Sequence, residues 1–129
     1  LDKVGATFEH TVSEVFHKDS LDVTEEDRIL VADRIQESDA SAVIVTHGTD
    51  SMVETANVLK ERVSGKTIVL VGSLTPARFR ETDAEFNIGV AVGAVQALPE
   101  GVYIAMNGQI FNPDSVRKNR GENRFEELD

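Results

Sequence analysis

A chain of 129 residues, 40% hydrophobic and 28% charged, has the size and composition of one globular domain that buries its own core. Its net charge of −10 argues against a nucleic-acid partner, which needs clustered Lys and Arg, although solubility alone explains an acidic balance. The absence of cysteine excludes disulfides and thiolate metal sites, and no apolar run approaches the roughly 18 residues of a membrane span.

His10–Phe16 alternates in polarity and predicts a strand. Thr24 followed by Glu25, Glu26 and Asp27 is a hydroxyl cap with acids in the first turn, opening a helix to about Gln36. Its apolar residues Ile29, Val31, Ala32 and Ile35 form one buried face. Ala42–Val45 is a β-branched run typical of a strand covered on both faces. After the tight loop His47–Asp50, a second helix runs from Ser51 to about Arg62, with Ser51 and Glu54 spaced as a capping box. Thr67–Val71 is another buried strand, ending at Gly72, which fits a sharp turn. Asp83–Leu98 reads as a helix whose Gly89, Ala91, Gly93 and Ala94 permit close packing on a sheet. Pro99 and Gly101 end it, and Val102–Met106 is the next strand. Gly121–Asp129 reads as a short helix or a tail.

Strands alternating with helices predict a three-layer α/β fold: a mostly parallel, doubly wound sheet with helices on both faces, one domain over residues 1–129. Ligands of such folds sit at the carboxyl ends of the strands. The loops at Lys18–Asp22, Thr46–Asp50, Gly72–Asp83 and Asn107–Lys118 share that rim.

The loop His47-Gly48-Thr49-Asp50-Ser51 follows a strand and opens a helix, where backbone N–H groups and the positive end of a helix dipole are available. Thr49 supplies a hydroxyl that can attack or position water, and Asp50 a carboxylate. Helix capping by Asp50 and Ser51 explains the same residues, so local chemistry leaves the loop undecided. Ser20 alone reads as a turn residue, and Lys118 with Arg117, Arg120 and Arg124 as a solvated basic face. Thr75 and Arg78 sit on a rim loop where turn chemistry and substrate contact are equally compatible. His10 and His17 lack metal-ligand spacing.

Longer segments decide between these readings. VIVTHGTDSMVETA resembles the second signature of the bacterial-type asparaginases. KTIVLVGSLTP followed by DAEFNIGVAVGAV resembles their next strand, polar loop and helix. DSLDVTEED is similar to their substrate-loop segment, and SVRKN to the segment with their active-site lysine. These blocks stand in the family's order across most of residues 10–120.

The resemblance implies an asparaginase-type amidohydrolase that converts L-asparagine to L-aspartate and ammonia through a threonine acyl-enzyme. Thr49, Asp50 and Lys118 would form a catalytic cluster in which Lys118 draws the proton from Thr49. Asp50 would bind the substrate's α-ammonium and Ser20 its α-carboxylate, and His47 would be a hydrogen-bonding strut under the loop. The resemblance implies no metal or cofactor, an amino-acid substrate, a homo-oligomer and a cytoplasmic location. Rival readings are a glutaminase, an aminoacyl-tRNA amidase (disfavoured by the acidic balance and by the lack of an appended binding domain), and a non-catalytic amino-acid-binding module. Leu21 stands where many members carry a polar residue, and the family's Gly-Gly-Thr strand and Tyr-bearing lid have no convincing counterpart, Gly5-Ala6-Thr7 included. The C-terminal domain of the family is missing too, which implies a short, single-domain branch. Because Leu1 is not a natural start, the working polypeptide is expected to carry residues ahead of it.

Overall fold

A computed structural model describes residues 5–75 and 82–128. Residues 10–16 form no strand: they are irregular and mostly exposed, with Val12 86% accessible. Alternating polarity was the whole signal there, and a strand also needs a neighbour to satisfy its backbone, which the described residues do not offer.

Helix α1 (Glu25–Glu37) begins at the predicted cap. Thr24 Oγ1 accepts from Asp27 N–H at 3.1 Å, and Asp27 Oδ2 accepts from Thr24 N–H at 2.9 Å. Strand β1 (Ala42–Thr46) follows, then a 3₁₀ turn (Thr49–Ser51) leading into helix α2 (Met52–Arg62). Strand β2 (Thr67–Val71), helix α3 (Ala84–Ala97) and strand β3 (Gly101–Met106) complete the alternating part. The central sheet has the order β1-β2-β3-β4, where β4 is Gln109–Phe111; its first three strands are parallel and β4 is antiparallel to β3. The β3–β4 turn is Asn107-Gly108, both at positive φ (55° and 73°), the pair that two-residue hairpins favour.

Strand alternation divides the core in two. Ile68 and Leu70 of β2 point to the face covered by α1 and α2, where Val31, Ile35, Met52, Ala56 and Leu59 pack. Val69 and Val71 point to the opposite face, under Ala91 and Ala94 of α3. Two sequence expectations need correction here. β1 is only half-buried, because among the described residues it is an edge strand. Gly89 and Gly93 do not pack on the sheet: a Cβ at either meets nothing within 4 Å, so only the alanines make the close contact.

The segment after β4 is more ordered than a loop and a tail. Strands β5 (Val116–Asn119) and β6 (Arg124–Glu127) form an antiparallel hairpin, with Lys118 opposite Phe125. Val116 and Phe125 enter the same core as Phe111, and Asn107 Oδ1 accepts from Phe125 N–H at 2.7 Å. The acidic, polar look of residues 121–129 hid one inward-facing side chain, and a single buried phenylalanine is enough to anchor so short a strand. Among the described residues, no helix is long and apolar enough to cross a membrane, and no group of three His, Cys, Asp or Glu side chains could hold a metal ion.

Candidate active site

The rim at the carboxyl ends of β1 and β2 is built by close backbone approach. His47 N–H bonds Val71 O at 3.0 Å and so continues the parallel ladder one step beyond the strands. Gly72 is not at positive φ, and what it supplies is room. A Cβ there would overlap the His47 carbonyl oxygen and fall 2.9 Å from Met52 Cε and 3.3 Å from Thr49 Cγ2. Gly48 is required for a similar reason, since its Cβ would stand 2.5 Å from that of Ser20.

Ser51 does not form the expected capping box with Glu54. Its hydroxyl donates to the Ser20 carbonyl instead, and its N–H donates to Ser20 Oγ at 2.7 Å. Ser20 Oγ donates to Gly48 O at 2.8 Å. The buried Ser20 hydroxyl is thus committed to the loop on both its donor and acceptor sides, and a substrate carboxylate would have to take its proton from Gly48. Leu21 beside it is 70% exposed.

His47 is held as a strut. A carbonyl can only accept, so the 2.6 Å contact to Gly48 O puts the imidazole proton on Nδ1. Nε2 then accepts from the Thr55 hydroxyl at 2.8 Å, and Thr55 Oγ1 accepts from Arg28 Nε at 3.1 Å. Burial pushes the His47 pKa below its ordinary value, and the Arg28 charge adds to this. The ring is therefore neutral and has no free nitrogen for proton transfer. On the other side, Asp83 ties the rim loop to the start of α3, accepting from Ser73 Oγ at 2.6 Å and from the N–H groups of Leu74 and Thr75 at 3.0 Å. Arg78 lies outside the described residues.

Above these supports sit the chemical groups. Lys118 Nζ lies 2.8 Å from Thr49 Oγ1 and 2.7 Å from Asp50 Oδ1, bringing together residues 69 and 68 positions apart. Thr49 is buried, Lys118 nearly so, and Asp50 about one-third exposed. Arg120, beyond the end of β5, also reaches Asp50: Nε lies 3.2 Å from Oδ1 and Nη2 3.3 Å from the main-chain oxygen. The Lys118 hydrogen bond holds the Asp50 carboxyl below the usual carboxylate range, with Arg120 assisting and burial opposing. Thr55, Arg28 and Arg120 were not singled out as site residues from the sequence, since nothing in a lone Thr or Arg marks it before the fold brings it to the loop.

A hydroxyl, an amine and a carboxylate thus meet at the mouth of a parallel sheet, beside the start of a helix. Residues 1–126 match the family described as Asparaginase, N-terminal, and the chain belongs to that family. It is 38% identical over 92 residues to the Glutaminase-asparaginase of Acinetobacter glutaminasificans, covering 68% of this chain and 28% of that protein. It is 35% identical over 85 residues to a subunit of the Glutamyl-tRNA(Gln) amidotransferase of Methanococcus maripaludis, covering 63% of this chain and 20% of that protein. In three dimensions it resembles the crystal structure described as "Probable Cytoplasmic L-asparaginase" from Campylobacter jejuni, with a TM-score of 0.82 and 30% identity over 89% of this chain and 38% of that one. The chain therefore spans well under half the length of each of these relatives.

Proposed function

We propose that this chain forms part of an amidohydrolase that releases ammonia from L-asparagine, with Thr49 as the attacking hydroxyl. The observation that carries the reading is the contact of Lys118 Nζ with Thr49 Oγ1 at 2.8 Å, with Asp50 beside both. Once Lys118 has released a proton to solvent, its amine takes the hydroxyl proton as Thr49 Oγ1 bonds to the side-chain amide carbon. The tetrahedral oxyanion is met by backbone N–H groups at the start of the 3₁₀ turn and α2, where a helix has no carbonyls of its own to bond them. Collapse breaks the C–N bond, the Lys118 proton leaves with ammonia, and water then cleaves the Thr49 ester to give aspartate. Asp50 receives the α-ammonium of the substrate. Ser20 meets the α-carboxylate if Gly48 releases its hydroxyl proton, and otherwise serves as the strut of the loop.

Replacing Thr49 with Val keeps shape and removes the hydroxyl. Ammonia release from asparagine should then vanish, while a variant that keeps about a third of the wild-type kcat/KM has lost under about 1 kcal/mol and removes Thr49 from the chemistry. A β-aspartyl adduct on the peptide bearing Thr49, after acid quench, is the positive counterpart. Glutamine is the second substrate to assay, favoured by the name of the Acinetobacter relative, and an aminoacyl-tRNA amide the third, favoured by the name of the Methanococcus one. Stabilisation by aspartate without ammonia release would mark a binding module. A cytoplasmic location, which the description of the Campylobacter neighbour supports, and a homo-oligomer belong to the same reading.

A further inference from the structure

Asp50 is shared by two cations, and only one of them, Lys118, has a part in the proposed chemistry. Arg120 sits at the first position of the β5–β6 turn, which Asn119 Oδ1 fixes by accepting from Glu122 N–H at 3.1 Å. From there its guanidinium straddles Asp50, bonding both the carboxylate and the main-chain oxygen, while the side chain stays 64% exposed. Among the described residues no carboxylate other than Asp50 forms an ion pair with Lys118 or Arg120, and the neighbouring Glu122 pairs with Arg124. The local formal charge of Lys118, Arg120 and Asp50 together is +1, in a chain whose total is −10.

A substrate ammonium arriving at Asp50 has to share one carboxylate with two cations already bonded to it. A carboxylate arriving at the same rim meets the opposite situation. Arg120 uses two of its nitrogens on Asp50, and a guanidinium has five N–H donors, so a side chain that is 64% exposed keeps donors beyond those two. A guanidinium fork is well suited to carboxylates, so the residue that neutralises the ammonium receptor also offers a carboxylate receptor.

We infer that Arg120 is a specificity-determining residue that relaxes the demand for an α-ammonium, so that the site takes ω-amides of dicarboxylic acids with or without an adjacent amine. The inference rests on the reading of Asp50 as the ammonium receptor. L-aspartate and succinate are the probes, since they differ only in the amine. Isothermal calorimetry on the full chain should give dissociation constants within about threefold of each other for wild type. In Arg120→Gln, which removes an exposed charge and leaves the hairpin core untouched, aspartate should gain over succinate by about fivefold or more. Arg120→Lys keeps the charge and should stay near the wild-type ratio. An unchanged aspartate-to-succinate ratio in Arg120→Gln overturns the inference and leaves the amino-acid site standing. If neither ligand binds wild type or variant, the amidohydrolase reading falls and this one falls with it.

Discussion

The commitment of Ser20 to the loop makes Ser20→Ala the most informative single change. The substitution removes the acceptor for the Ser51 N–H at 2.7 Å and one of the two donors to Gly48 O, which keeps its bond from His47. Ser51 Oγ keeps its bond to the Ser20 main chain. One buried N–H is therefore orphaned, at about 1–3 kcal/mol, and one further hydrogen bond is lost, at about 1 kcal/mol. A total of about 2–4 kcal/mol corresponds to a Tm drop of roughly 6–15 °C for a domain of this size. Thermal unfolding of ligand-free protein, followed by far-UV circular dichroism, measures it without reference to activity. If the Tm moves by less than about 2 °C while aspartate affinity falls at least tenfold, the hydroxyl is a ligand of the substrate and the strut argument is wrong.

Gly72→Ala forces a Cβ onto the His47 carbonyl and against Thr49, so a loss of about 1–3 kcal/mol and a fall in ammonia release are expected together; an active variant with unchanged urea midpoint would contradict the packing argument. Phe125→Ala should cost about 3–5 kcal/mol by emptying a buried position in the main core, and hydrogen exchange should show β5 and β6 opening first. Stability should fall steeply with acid below the ordinary Asp value of 3.8, because Asp27, Asp50 and Asp83 all have folded pKa values lowered by their donors. Their contribution is fully present above that pH and is lost as the pH drops through the folded values. His47 has the same sign for a different reason. It folds neutral with a lowered pKa, so its contribution is present above 6.5 and shrinks as the pH falls below it, and His47→Gln should flatten that part of a Tm-against-pH curve.

The alternating elements were legible because each carries its own local evidence. The runs at Ala42–Val45 and Thr67–Val71 and the Thr24 cap with its first-turn acids stand in the fold where they were read, although β1 is half-buried where full cover was expected. What misled was pattern without a partner: residues 10–16 alternate and form no strand, and Ser51 with Glu54 has the spacing of a box while the serine bonds across the chain to Ser20. The hairpins were the reverse case. Asn107-Gly108 is a strong turn signal, but the strand that follows it, β4, is only three residues long and carries little pattern of its own. At the rim, Thr49, Asp50 and Lys118 were named through family resemblance, since their sequence positions give no hint of contact. Arg120 resembled a solvated charge and could be recognised at Asp50 only once the β5–β6 register was known.

The hairpin is also the part on which the site depends most. Thr49 and Asp50 are carried by a rim fixed from several sides, by the β1–β2 register, by Ser20 and by the His47 strut. Lys118 and Arg120 come from one short hairpin whose inward anchors are Val116 and Phe125. Side chains on a strand alternate, so Val116 and Lys118 face the same way, and the residue that fixes the strand's depth also sets how far the amine reaches toward Thr49. The cross-strand pair of Lys118 with Phe125 fixes its rotation. A loss of packing at Phe125 should therefore move the amine before it disturbs the hydroxyl, and chemistry should fail ahead of the fold. The surface pairs that decorate the hairpin, Arg117 with Glu126 and Arg124 with Glu122, are exposed and contribute little to holding it. The position of the proposed base is thus set by core packing on the same face of its own strand.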